Sequence, residues 1–320
     1  MTNTRLRSWT QAAVLANLAL QVIIVVTGGA VRLTGSGLGC STWPQCEPGQ
    51  FVPVLHAATP AHTYIEYGNR MIGVLLGLVG IALAVLTHLA VQRLGRAPML
   101  RRLGIGICVG IVVQGVVGGV SVWLSLHPGI VGSHFLLSGV LLVLSTWLVV
   151  RWLSADGERT LAGSRLMHLI AAVIVLAGVL VVVLGVVVTG AGPHSGDDNV
   201  GYRFAVDPYL MARAHALAVW VFALAVLALL IVASRQRPPV PGLMRWSIIL
   251  LMSTVAQGAI GYVQFFTGLP EVLVGMHLFG AAMLIVIGTR TLLTLRTTTP
   301  ASQDRDRVDR RAGATGNVQR

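Results

Sequence analysis

The sequence predicts an all-α membrane protein: eight transmembrane helices arranged as two pseudo-symmetric four-helix halves. Composition is the first support, because 55% of the 320 residues are hydrophobic, only 11% are charged, and mean hydropathy is +0.79, outside the range of soluble globular domains. The second is spacing: the positive charges are all arginine and gather in short segments between uncharged runs, each able to cross hydrocarbon at about 1.5 Å per residue. The third is recurrence, since patterns in the first half return in the second. The formal net charge of +12 is spread over alternate loops and the C-terminal end, so it encodes topology and not a nucleic-acid surface.

Arg5 and Arg7 precede a first helix from Trp9 to Val31, too long for the apolar core of a signal peptide. A Gly-, Pro- and Ser-rich loop with Cys40 and Cys46 leads to a second helix ending near Gln92. Leu103 to Val150 carries no Asp, Glu or Arg and is twice a single span; the turn signal Ser125-Leu-His127-Pro128-Gly129 divides it into the third and fourth helices. The fifth helix covers about Leu166 to Thr189, the sixth starts near Met211 and stops before Arg235, the seventh covers Trp246 to Thr267, and the eighth Val272 to Thr294. Arginines mark the second, fourth and sixth loops and both termini. The positive-inside rule then puts both termini in the cytoplasm and the cysteine loop outside a cell membrane. The expected divisions are 1–155, 156–296 and a disordered polar tail at 297–320.

Gln114-Gly-Val-Val-Gly-Gly resembles Gln257-Gly-Ala-Ile-Gly-Tyr, and in each case a proline and then a histidine follow, the histidine 20 residues after the glutamine (His134 and His277). Val26-Thr27-Gly28 likewise echoes Val188-Thr189-Gly190. Such internal similarity is the mark of two structural repeats.

At the mouth of the second helix, His62, Glu66, Asn69 and Arg70 fall on one helical stripe by their spacing. Ionisable groups at the edge of hydrocarbon point to a functional site. The bland alternative is a Glu66–Arg70 pair at headgroup level. Each even-numbered helix carries a histidine near its outer end: His62, His134, His215 and His277. Helices that run the same way with histidines at matching depth can offer two imidazoles to one iron, as a haem between bundle helices requires. Zinc spacings such as H-E-x-x-H are absent. His56, His127 and His194 lie in outer loops, and Arg32, Arg70, Arg203 and Arg213 could hold carboxylates such as haem propionates, or lipid phosphates. Cys40-Ser-Thr-Trp-Pro-Gln-Cys46 sits where disulfides persist; a structural clip and a redox-active pair both suit it.

Taken together, the run Gly28-Gly-Ala-Val-Arg32-Leu-Thr34-Gly-Ser36-Gly37-Leu38-Gly-Cys40, the cysteine pair, the Glu66 stretch and the histidines of helices four, six and eight resemble haem A synthases of the CtaA type over residues 9 to 295. The resemblance implies an oxidoreductase of haem biosynthesis and cytochrome oxidase assembly. Its reaction oxidises the C8 methyl of haem O to a formyl group through hydroxylated intermediates. It implies an iron-bearing haem b on His215 and His277, and a substrate haem O site on His134 with the Glu66 face, Glu66 being catalytic. It implies as partners haem O synthase and an electron acceptor such as a quinone, and is compatible with a homo-oligomer. Where many members of that family read Glu-x-x-His-Arg, this chain reads Glu66-Tyr-Gly-Asn69-Arg70. Asparagine is a poor iron ligand, so His62, one turn earlier, is expected to serve as second axial ligand, or the iron to stay five-coordinate. The alternatives from other classes are a quinol-linked di-haem electron carrier and a haem transporter.

Overall fold

The computed structural model describes residues 2–53, 61–157, 159–194, 196–197 and 199–298. Its helices are α1 (Asn3–Leu33), α2 (Ala61–Leu94), α3 (Pro98–Trp123), α4 (Pro128–Leu153), α5 (Arg165–Ala191), α6 (Pro208–Arg235), α7 (Leu243–Phe266) and α8 (Glu271–Leu293). All eight are long and apolar enough to cross a membrane. The all-α membrane fold is therefore as the sequence predicts.

Local chemistry sets the helix starts. Pro98, Pro128 and Pro208 occupy first-turn positions where a missing N–H costs nothing. Thr2 accepts from the Arg5 N–H and extends α1 back past both N-terminal arginines, while Asp207 accepts from the Tyr209 and Leu210 N–H groups. The α3–α4 connection turns through Ser125 and Leu126, both at positive φ.

In the first half α1, α2, α3 and α4 form a closed ring, α1 meeting α4. A buried stripe on α1, Thr10, Val14, Asn17 and Gln21, faces inward, and Asn17 Nδ2 donates to Ser145 Oγ of α4 at 2.8 Å. In the second half α5, α6, α7 and α8 pack in sequence, and α8 lies against both α1 and α4, joining the halves. Leu83, Leu100, Ile107 and Leu148 fill the arginine-rich end of the first half, and Met167, Leu229, Leu243 and Leu250 that of the second. Between the helices a large space is left, reaching from the cysteine loop along α8 to Leu293.

A short ribbon closes the arginine-rich end. β1 (Arg159–Leu161) pairs antiparallel with β2 (Arg296–Thr298), with Arg159 opposite Thr298 and Leu161 opposite Arg296. The polar tail expected from Thr297 thus begins with two paired residues, because the α4–α5 linker offers the departing chain backbone partners.

Candidate functional site

This space is a cavity of about 2550 Å³ lined by residues of all eight helices. Pockets for drug-sized ligands measure about 300–1,000 Å³, so this volume accommodates more than one large planar molecule. Glu66 is the single carboxylate among the described lining residues, and His134, His194, His215 and His277 are the histidines.

In the second half, His215 of α6 faces His277 of α8 with ring centroids 6.5 Å apart and planes at 67°. Two imidazoles bonded to one metal at about 2.0 Å hold their ring centres about 6.3 Å apart. His215 Nδ1 lies 3.0 Å from the Val181 carbonyl, which it satisfies as a donor, leaving Nε2 uncommitted. Metal-bound histidines are oriented in this way through their other nitrogen. His277 Nδ1 is buried without a hydrogen-bond partner. Two imidazoles at this separation, one of them preoriented through Nδ1 and both lining a roomy apolar cavity, fit an iron porphyrin.

Across the repeat the histidines share their surroundings. Gln114 Nε2 donates to the His134 carbonyl at 3.0 Å, and Gln257 Nε2 donates to the His277 carbonyl. Gly118 borders His134 as Gly261 borders His277. All three correspondences, 257 against 114, 277 against 134 and 261 against 118, share one shift of 143 residues. Sequence reasoning used the glutamines as repeat markers and missed their function, which is to hold the carbonyl of each histidine's own turn.

For α1 and α5 the structure corrects the echo of Val-Thr-Gly. Gly28 approaches Asn69 of α2, and the glycine that approaches His215 of α6 is Gly185, not Gly190. Gly190 packs instead on Phe204, and Thr189 uses its carbonyl to accept from Arg32 Nη2 at 2.6 Å. The two threonines are out of register by more than a turn, because apolar Gly-rich helix ends match by chance where packing partners differ.

Glu66 is 5% exposed and fully engaged in a clamp. Oε1 accepts from Arg70 Nη2 at 2.6 Å and Nε at 3.1 Å, and Oε2 accepts from the Cys40 N–H at 2.6 Å. Arg70 Nη1 then donates to the Thr42 and Gln45 carbonyls at 2.9 and 3.1 Å. The pair therefore pins the loop that the Cys40–Cys46 disulfide closes. Both sulfurs' residues are buried, 0% and 1% exposed, so an exchanging thiol meets them only after the loop opens. From this loop Trp43 packs edge-on against Trp123 and over Gly119, and with Pro44 it roofs the cavity.

Asn69 lines the cavity, with Oδ1 accepting from Thr27 Oγ1 at 2.8 Å. His134 Nε2 lies 3.1 Å from the Gln114 carbonyl, and its Nδ1 has no partner among the described residues. His62 departs from expectation. Its side chain is exposed, its Nδ1 lies 2.9 Å from Ser36 Oγ, and it does not line the cavity. The cause is the cysteine loop, which crosses the first turn of α2 so closely that a Cβ at Gly39 would lie 2.5 Å from the His62 carbonyl oxygen. Helical spacing puts His62 on the Glu66 stripe, but the loop occupies the space between it and the cavity.

Among the outer arginines, Arg32 is committed to the His194 and Thr189 carbonyls, and Arg203 to those of Gly192, Pro193, Val200 and Tyr202. They order the α5–α6 loop. Arg213 lines the cavity without a hydrogen-bonding partner among the described residues, and of these outer arginines it is the one left free there. His127 caps α4 through the Gly129 N–H, and His194 Nε2 lies 3.1 Å from the Leu269 carbonyl; both have structural duties. His56 lies outside the described residues.

The profile of the COX15-CtaA family, described as cytochrome oxidase assembly protein, matches residues 11–194. Proteins named heme A synthase are similar to this chain. That of Alkalihalophilus pseudofirmus is 30% identical over 142 residues, covering 44% of this chain and 46% of the relative. That of Symbiobacterium thermophilum is 33% identical over 150 residues, 47% and 46% of the two chains. That of a Methylobacterium species is 30% identical over 206 residues, 54% and 55%. The chain spans about half the length of the curated relatives it matches. A profile match over more than half of the chain, on a fold with a paired-histidine cavity, places this protein in the COX15-CtaA family of cytochrome oxidase assembly proteins.

Proposed function

We propose that this protein is a haem A synthase that oxidises the C8 methyl group of haem O to a formyl group by way of a hydroxymethyl intermediate. The observation that carries the reading is the pair of histidine sites inside one cavity: a facing His215–His277 pair, and His134 at the equivalent depth of the other repeat, beside the cavity's one described carboxylate. The names of the relatives agree with it.

His215 and His277 would hold a resident haem b, which supplies one-electron chemistry when bound. Substrate haem O occupies the cysteine-loop half on His134. Trp43 and Pro44 cover that site and exclude water in bulk, and Arg213 serves a propionate in the neighbouring half. Converting a methyl to a hydroxymethyl with water as oxygen donor releases electrons and protons in pairs, and so does the next oxidation to the aldehyde. Glu66 accepts a proton from the attacking water, and its anionic form balances positive charge that builds at the methyl carbon. Arg70 limits the second effect by pairing with it, so Glu66 works chiefly as a positioned base. The arginine-rich end faces the cytoplasm with both termini, and the Cys40–Cys46 loop faces outward. Haem O arrives from haem O synthase, and the electrons leave to an acceptor such as a quinone.

The test is expression of the full chain in a host that makes haem O but no haem A, followed by pigment extraction and mass analysis. Haem A with its hydroxylated precursor is the expected result. Unchanged haem O beside haem B alone overturns the proposal.

A further inference from the structure

The repeat brings a difference between the two halves into view. The cavity-lining positions of α2 and α6 correspond at one shift: Glu66 with Ala212, Asn69 with His215, Gly73 with Val219, a separation of 146 residues (215 against 69). Independent contacts confirm the register, because Gly28 of α1 borders Asn69 as Gly185 of α5 borders His215. Their separation, 157 residues, also carries Val25 onto Val182 and Arg32 onto Thr189, all of which line the cavity. His134 therefore corresponds to His277, while the partner that His277 has in His215 is an asparagine in the first half.

Nothing else on α2 takes that place. Tyr67 and Met71 also line the cavity, but they lie two residues either side of Asn69, about 200° around the helix axis, and so off the α2 face that Gly28 borders and that corresponds to His215. Glu66 is held by Arg70 and the Cys40 N–H. His62 is outside the cavity on Ser36. Asn69 itself is anchored through Oδ1 to Thr27, so its better metal-binding atom is occupied and its Nδ2 protons are the groups left over.

We infer that the cysteine-loop half holds its macrocycle through His134 alone, with Asn69 fixed beside the opposite axial face as a hydrogen-bond donor that does not coordinate, leaving that face open to a small oxygen ligand such as water. The inference rests on the haem O reading of that half. One fold then carries two unlike sites: a closed one at His215 and His277, suited to electron transfer, and an open one at His134, where a donor can orient an oxygen ligand.

The experiment uses the full chain purified in detergent and supplemented with haem B as probe. Paramagnetic resonance and optical spectra of the oxidised protein should show two haems per chain, one low-spin and one high-spin. Added imidazole should convert the high-spin haem to low-spin at one equivalent per chain. Asn69→His should abolish the high-spin signal and the imidazole response without added ligand, whereas His62→Ala should leave both as they were. Two haems that are both low-spin in the unaltered chain, with no imidazole response, overturn the inference and leave the haem O reading standing. A single haem per chain that is unaffected by His134→Ala overturns that reading, and the inference with it. The imidazole titration on the unaltered chain decides the matter even where Asn69→His does not fold.

Discussion

Replacing Glu66 by glutamine tests the clamp that joins the cavity to its roof. The carboxylate accepts from both Arg70 and the backbone of Cys40, and the side chains of the ion pair are only 7% and 16% exposed. Glutamine keeps the shape but puts an NH₂ where one acceptor stood and removes the counter-charge of a buried guanidinium. Losing a hydrogen bond to a charged group costs about 1.5–3 kcal/mol, and stripping a buried ion of its partner about 3–5 kcal/mol. Arg70 retains the Thr42 and Gln45 carbonyls, which places the loss for the loop at about 2–4 kcal/mol. At about 1.4 kcal/mol per tenfold, loop opening should be favoured roughly 30- to 700-fold. Hydrogen exchange followed by mass spectrometry on the peptide carrying Cys40 reads that change directly. Exchange within about threefold of the unaltered protein would refute the clamp. Product formation should fall by about 100-fold or more, the range of a lost general base. Arg70→Gln separates the effects, since it loosens the loop while leaving the carboxylate in place. If the two variants open the loop alike but only Glu66→Gln abolishes haem A, Glu66 has a chemical duty besides anchoring. Equal losses of product would reduce it to a positioning residue.

Two further substitutions probe the roof and the repeat. In Gly119→Ala the new Cβ would sit 2.4 Å from the Trp43 ring, so Trp43 must move; overpacking should cost about 1–3 kcal/mol, lower the melting temperature and shift tryptophan emission. In Gln257→Leu the His277 carbonyl loses its interhelical donor, and a loss of about 1 kcal/mol should appear as release of the second-half pigment at lower temperature, with the first-half pigment unaffected.

Much of this architecture is readable along the chain because it depends on local, one-dimensional properties. Apolar run length specifies each span, arginine placement specifies the alternation of ends, and the equal spacing from Gln114 to His134 and from Gln257 to His277 reveals the repeat. The helix limits follow for the same reason: proline and Asp207 act on the first turn they belong to. The site is less readable because it depends on how each helix is rotated and how deep it sits against its neighbours. Periodicity joins His62, Glu66, Asn69 and Arg70 into one stripe, yet only packing separates them into an exposed histidine on Ser36, a carboxylate clamping a loop, and an asparagine beside the cavity. The Thr27 and Thr189 echo misled for the same cause, since matching letters give no depth and Gly28 pairs with Gly185. By itself the sequence determined the membrane fold, its repeats and the residue types available for haem chemistry. The tertiary structure alone decided which of them meet, because lipid-facing apolar surface constrains helix rotation weakly, and the close contacts of glycine, loop backbone and buried polar groups set it.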